Sequence, residues 1–187
     1  DGYAVKYLTG TDEHGLKVWQ AARDQGKDPQ AFCDEIAEIF KSVLPEMNIS
    51  NDDFIRTTEA RHKEGAQAFW RRLEDNGDIY LDTYAGWYAV RDEAYYSADE
   101  LTTCEDGRKY APSGAPVEWM EEESYFFRLS KYQDRLLQLY EANPGFVRPE
   151  TRLNEVRSFV QSGLRDVSIS RTTFSWGIPV PGNEKHV

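Results

Sequence analysis

The segment from Tyr3 to Gly26 constrains the fold more than any other. Tyr3-Ala4-Val5-Lys6-Tyr7-Leu8 is an apolar-rich run that reads as a buried strand. Thr9-Gly10-Thr11-Asp12-Glu13-His14-Gly15 follows as a polar turn bracketed by glycines. Leu16, Val18, Trp19 and Ala22 then recur at helical spacing up to Gly26, placed to end the helix. A β-turn-α unit of this kind points to an α/β fold. The strand follows Asp1-Gly2 directly, with no initiator Met, and Asn183-Glu184-Lys185-His186-Val187 stops as another apolar residue arrives. Both ends suggest a chain cut from something longer, an expectation that the mass of the gene product would check.

Downstream, Asp28 is a good N-cap with Pro29 at the first helical position, and Phe32, Ile36, Ile39, Phe40, Val43 and Leu44 mark one helical face. Phe54-Ile55-Arg56-Thr57-Thr58 reads as a strand and residues 59–76 as a third helix, with Ala66, Phe69, Trp70 and Leu73 on one side. From Ile79 to Phe127 the chain turns aromatic and turn-rich, as expected of a small antiparallel insertion of short strands with a loop over 102–116. Ser124-Tyr125-Phe126-Phe127-Arg128-Leu129 returns as a strand or helix entry. A helix carrying Tyr132, Leu136, Leu137 and Tyr140 stops at Asn143-Pro144-Gly145. Residues 152–162 form another, with Val156, Phe159 and Val160 inward. The remainder is Pro-punctuated and extended.

Composition narrows the function. The 187 residues carry 22 Lys+Arg against 33 Asp+Glu, a net charge of −11, which disfavours this chain as the main electrostatic footprint on nucleic acid. Aromatics at 13% exclude an acidic disordered tail. No apolar run approaches the roughly 20 residues of a membrane span, and no signal peptide is visible. Two cysteines, Cys33 and Cys104, cannot make a disulfide framework and favour a reducing compartment.

Chemistry concentrates in two places. Asp12-Glu13-His14 lies between a strand and a helix, where open α/β sheets bind ligands, and a carboxylate there can hold an ammonium group. Alternatively, Asp12 or Glu13 caps the next helix and His14 is a surface residue. Arg171, in Ile169-Ser170-Arg171, can clamp phosphate or carboxylate with its planar fork, or can be a surface arginine paired with an acid. His14, His62 and His186 are far apart and outside any zinc motif; no hydrolase triad, phosphate loop or Gly-x-Gly-x-x-Gly run is present. Cys33 reads as a buried structural thiol. The aromatic stretches 84–96 and 119–127 read as core, because an RNA-stacking platform would bring basic neighbours and these are Glu118, Glu121, Glu122 and Glu123.

Taken in order, Val5 to Gly15, Asp53 to Thr58, Ser124 to Leu129, Asn154-Glu155-Val156, Ser168 to Arg171 and Trp176-Gly177-Ile178-Pro179-Val180-Pro181-Gly182 resemble the methionyl-tRNA synthetase family along nearly the whole chain. The resemblance implies a partial Rossmann-type class I catalytic core over 1–78 and 128–187, with a connective insertion over 79–127. It implies a cytoplasmic enzyme that makes methionyl-adenylate from methionine and ATP (with Mg) and passes the methionyl group to tRNA, contacted mainly outside this chain. Asp12 would bind the α-ammonium group of methionine, with His14 in the same substrate-binding loop. Arg171 would assist activation near the triphosphate, and Trp176 and Gly177 would pass close to the nucleotide.

The departures are as informative. The His-Ile-Gly-His and Lys-Met-Ser-Lys-Ser signatures are absent, so the isolated chain is expected to be inactive. Many relatives carry a Tyr-Cys-x-x-Cys run and a second cysteine pair or Cys/His pair in the insertion. Here the run is Tyr88-Ala89-Val90-Arg91-Asp92 and Cys104 stands alone, so a zinc-free knuckle held by aromatics is expected. Two other readings stay open. A sibling class I synthetase for another aliphatic amino acid would share Trp176-Gly177-Ile178-Pro179, though it would need a larger insertion. A non-catalytic acidic binding module would not depend on Asp12.

Overall fold

The first strand, β1, spans Leu8–Thr11 rather than the apolar run before it. The computed structural model describes residues 2–92, 94–104 and 107–187, without the Tyr84 side chain. Asp1, Glu93 and the Glu105-Asp106 pair of the expected loop therefore lie outside the described residues. Tyr3 and Val5, expected to be buried, are 86% and 77% exposed. Pairing, not apolarity, sets the limits of the strand. β1 runs parallel to β2 (Asp53–Arg56), with Leu8 opposite Asp53 and Thr11 opposite Arg56. The turn correspondingly shrinks to Asp12 through Gly15.

Between the two strands lie α1 (Leu16–Asp24) and α2 (Pro29–Glu46). Gly26, at φ 64°, ends the first where a side chain would be strained. Asp28 caps the second as expected, its carboxylate accepting the N–H groups of Gln30 at 3.0 Å and Ala31 at 3.2 Å. α3 (Ala60–Asp75) follows β2. Parallel strands joined through helices make this the α/β part of the chain.

Residues 79–127, the expected insertion, are built differently from the expected set of short strands. β3 (Ile79–Ala89) and β7 (Glu118–Phe127) form one long antiparallel pair, from Ile79 opposite Phe127 to Tyr88 opposite Glu118. β4 (Ala94–Tyr96) flanks β3, and β5 (Thr102–Thr103) pairs with β6 (Lys109–Tyr110) near the tip. Four charged residues in β7 break the apolar alternation that would have revealed its length. At the tip Ala89, Ala111, Ala115 and Val117 are buried, with Trp87, Tyr96 and Leu101 packed on them. The expected aromatic core holds only in part, since Tyr88 is buried and Trp119 is 57% exposed.

After β7 come α4 (Gln133–Ala142) and α5 (Glu150–Gln161), packed through Tyr140, Leu153, Val160 and Leu164. Phe159, expected inward, faces solvent at 67% exposure, because Leu153 and Val160 define the buried side. The tail then returns along β7: β8 (Val167–Ser168) pairs antiparallel with its end. From there it crosses to the carboxyl ends of β1 and β2, where Trp176 meets the turn after β1.

Candidate functional site

Two loops leave the carboxyl ends of the parallel pair, Asp12-Glu13-His14-Gly15 after β1 and Thr57-Thr58 after β2. In the extended turn successive side chains point to opposite sides. Glu13 turns inward and is 4% exposed, while Asp12 and His14 face the cavity described below. The Arg56 guanidinium donates to both Glu13 oxygens, Nε to Oε1 at 2.7 Å and Nη2 to Oε2 at 2.9 Å. Thr11 Oγ1 donates to Oε1 at 2.6 Å and Thr58 Oγ1 to Oε2. Burial alone would raise the Glu13 carboxyl. The donors from Arg56, Thr11 and Thr58 outweigh it and hold the group below its ordinary range. Glu13 is thus a structural acid beneath the loop, not a ligand group at its surface.

Its backbone holds the site together. The Glu13 N–H donates to Thr57 Oγ1 at 2.8 Å, and its carbonyl accepts Trp176 Nε1 at 2.6 Å and the Cys33 thiol at 3.5 Å. Burial pushes that thiol up to about 11, in keeping with a structural rather than a nucleophilic cysteine. The Gly15 N–H donates to the Trp176 carbonyl at 3.2 Å. Gly15 is the N-cap of α1 and no side chain caps that helix, so Asp12 and Glu13 are not capping residues.

Asp12, His14, Trp70, Trp176, Ile178 and Val187 are among the residues around a cavity of about 440 Å³, within the usual size range of small-molecule pockets. Asp12 is exposed at its rim, 3.5 Å from the Thr57 hydroxyl. The His14 ring lies 5.4 Å from Trp176. Burial, and then Lys63, lower the His14 pKa, which favours the neutral imidazole. Its Nε2, with His62 Nδ1 and Trp70 Nε1, is buried without a hydrogen-bond partner, and all three residues line this cavity. Gly177 is required by close approach: a Cβ there would lie 2.5 Å from Val187 Cβ.

The predicted site residues Asp12, His14, Trp176 and Gly177 are therefore brought together around one cavity. Arg171 is not among its lining residues. It borders an adjoining hollow of about 260 Å³ that shares Gly15, Ile169, Phe174 and Val187 with the first. Its Nη1 donates to Ser168 Oγ at 2.8 Å and to the Ser170 carbonyl at 2.6 Å. Thr57, His62 and Trp70 also line the cavity, although sequence alone assigns Thr57 to a strand, Trp70 to a helix face and His62 no site role. Thr57 was within reach, since it follows a parallel strand just as Asp12 does.

The residues at the tip of the β3–β7 pair occupy the positions where a zinc knuckle would place its ligands. Ala89 and Asp92 occupy the Tyr-Cys-x-x-Cys positions, and Cys104 is exposed. Asp92 instead accepts hydrogen bonds from Tyr96 Oη at 3.0 Å and from the Ser113 hydroxyl. Among the described residues no group of three or more His, Cys, Asp or Glu is placed to hold a metal ion. Among the same residues no helix is long and apolar enough to cross a membrane.

A family model described as tRNA synthetases class I (M) matches residues 1–187. The chain is 62% identical over 186 residues to a methionine–tRNA ligase of Rickettsia felis and 59% identical over 187 residues to one of Brucella suis biovar 1. Each match covers 100% of this chain and 36% of the relative. The structure of Mycobacterium tuberculosis methionyl-tRNA synthetase in complex with methionyl-adenylate matches with a TM-score of 0.92 at 51% identity, covering 100% of this chain and 36% of that one. The chain thus spans about a third of the length of these relatives, at 36%.

Proposed function

The chain belongs to the class I tRNA synthetases (M), and from that premise we propose that it supplies the amino-acid side of a methionine-activating site. Methionine and ATP (with Mg) give methionyl-adenylate and pyrophosphate, and the methionyl group then passes to tRNA. The observation that carries this reading is one carboxylate, Asp12, at the rim of a cavity walled by Trp70, Trp176, Ile178 and Val187. An amino acid with an apolar side chain presents the complement: an ammonium for the carboxylate and an uncharged chain for the wall.

In this reading Asp12 binds the α-ammonium group and the neutral His14 lines the same pocket without adding a competing positive charge. Trp176 and the closely packed Gly177 pass beside the nucleotide. Arg171, one hollow away, assists activation by stabilising charge that develops as pyrophosphate leaves. The segments 1–78 and 128–187 belong to the catalytic core and 79–127 is its connective insertion. tRNA is contacted mainly by regions outside these residues, in a cytoplasmic enzyme.

The test is ATP–pyrophosphate exchange by a full-length synthetase carrying these residues. Exchange should depend on methionine and be at least about tenfold weaker, in kcat/KM, with leucine, isoleucine or valine. Equal exchange with one of those amino acids would favour the sibling-synthetase reading. We further propose that the insertion is zinc-free, with Asp92, at one Tyr-Cys-x-x-Cys position, accepting hydrogen bonds from Tyr96 and Ser113. Metal analysis of the purified protein should return well under one zinc per chain, and a stoichiometric value would overturn this.

A further inference from the structure

Arg171 is held from both sides by the inward face of β7, which belongs to the insertion. On one side Ser124 Oγ donates to the Ser170 carbonyl at 3.0 Å and lies 2.7 Å from Ser168 Oγ, the two groups that also receive the Arg171 guanidinium. On the other side Glu122, two residues back along the same strand and 7% exposed, takes hold of the residues just after the arginine. One of its oxygens accepts the Thr172 N–H, the Thr172 hydroxyl at 2.7 Å and the Thr173 N–H at 3.0 Å. Its other oxygen accepts the Tyr95 hydroxyl at 3.3 Å. Tyr95, on β4, in turn places its ring 5.4 Å from the Arg171 guanidinium carbon, within cation–π range.

A carboxylate removed from water is expensive, and among the described residues four neutral donors, not a cation, compensate it. Those donors come from both the insertion and the loop following Arg171. A single buried acid thus ties the conformation of that loop, and the aromatic ring that faces the arginine, to the position of the insertion. We propose that Glu122, acting with Tyr95, is a positioning residue for Arg171, so that the antiparallel insertion sets the geometry of the activation step. The inference rests on the proposed role of Arg171 in that step.

The experiment uses a full-length synthetase carrying these residues and measures methionine-dependent pyrophosphate exchange. Glu122→Ala should lower kcat about tenfold or more while the KM for methionine stays within about twofold, because the Asp12 cavity does not include Glu122. Glu122→Gln keeps a carbonyl acceptor for the two N–H groups and should recover most of the rate. Tyr95→Leu, at a less buried position, should lower kcat with the same unchanged KM. In an Arg171→Ala background, Glu122→Ala should cost less than about a further twofold, since both changes remove one function. Fully multiplicative losses in that double variant, or a KM that rises as kcat falls, would overturn the proposal by showing a general structural role. Normal kcat in Glu122→Ala alongside a damaged Arg171→Ala would overturn it and leave the reading of Arg171 standing. Normal kcat in Arg171→Ala would remove that reading and this inference together.

Discussion

Replacing Asp12 by alanine in a full-length synthetase carrying these residues is expected to raise the KM for methionine about 10- to 150-fold. The size follows from the interaction removed: a hydrogen bond to a charged group contributes about 1.5–3 kcal/mol, and each 1.36 kcal/mol is tenfold. Asp12 is exposed at the cavity rim, so the lower half of that range is the expected one unless the bound amino acid excludes water. Asp12→Asn keeps an acceptor and loses the charge, and should fall between the two. Steady-state exchange with methionine as the varied substrate gives the numbers. A des-amino methionine analogue, tested as a competitive inhibitor, supplies the internal control, because it should bind wild type and Asp12→Ala equally. A variant whose KM stays within twofold of wild type would sink the assignment of the ammonium to Asp12 and revive the reading of a site that does not depend on it.

Asp12 was legible in the sequence because its position is a local matter. It directly follows the short parallel strand β1 and precedes the amphipathic helix α1, and the ends of parallel strands are where α/β proteins bind ligands. The Asp28-Pro29 helix start was legible for the same reason, since donors and acceptor lie within three residues. Trp176 and Gly177 could be placed only by family resemblance, because their contacts with Glu13 and Val187 join segments that spacing does not connect. Glu13 and Glu122 were not legible at all. Each sits among other acids in sequence, and what distinguishes it is burial against donors far along the chain, Arg56 in one case and Thr172 and Thr173 in the other. The two β7 acids that flank Glu122, Glu121 and Glu123, are on the opposite face of the strand, a period-2 distinction that becomes readable only once the strand is known. Strand limits failed for a related reason: β1 stops where β2 stops pairing with it, whatever the hydropathy of Tyr3 and Val5.

The buried Glu13–Arg56 pair carries the second large effect, this time on stability. The side chains are 4% and 14% exposed, so solvent screens the pair little. Glu13→Ala leaves the Arg56 guanidinium with the outlying Asp34 carboxylate at 2.6 Å as its one ion-pair partner among the described residues, and strands Thr11 and Thr58 without their acceptor. Breaking a buried pair from one side costs about 3–5 kcal/mol, and the expected consequence is a Tm lower by about 6 °C or more. Glu13→Leu combined with Arg56→Met should recover much of that loss, since an apolar pair requires no desolvated charge. The pH dependence has a defined sign. The folded Glu13 carboxyl lies below its ordinary value of 4.5, so its contribution is fully present above that pH and is lost as pH falls through the folded value. Wild type should therefore lose Tm more steeply than Glu13→Gln on acidification below about pH 4.5. Because the Glu13 carbonyl and N–H also anchor Trp176 and Thr57, Glu13→Ala should weaken methionine binding at temperatures where the protein remains folded. Thermal unfolding across pH, read beside the KM for methionine, measures both. A Tm within about 2 °C of wild type at neutral pH would show that the loop after β1 is held by its backbone contacts alone.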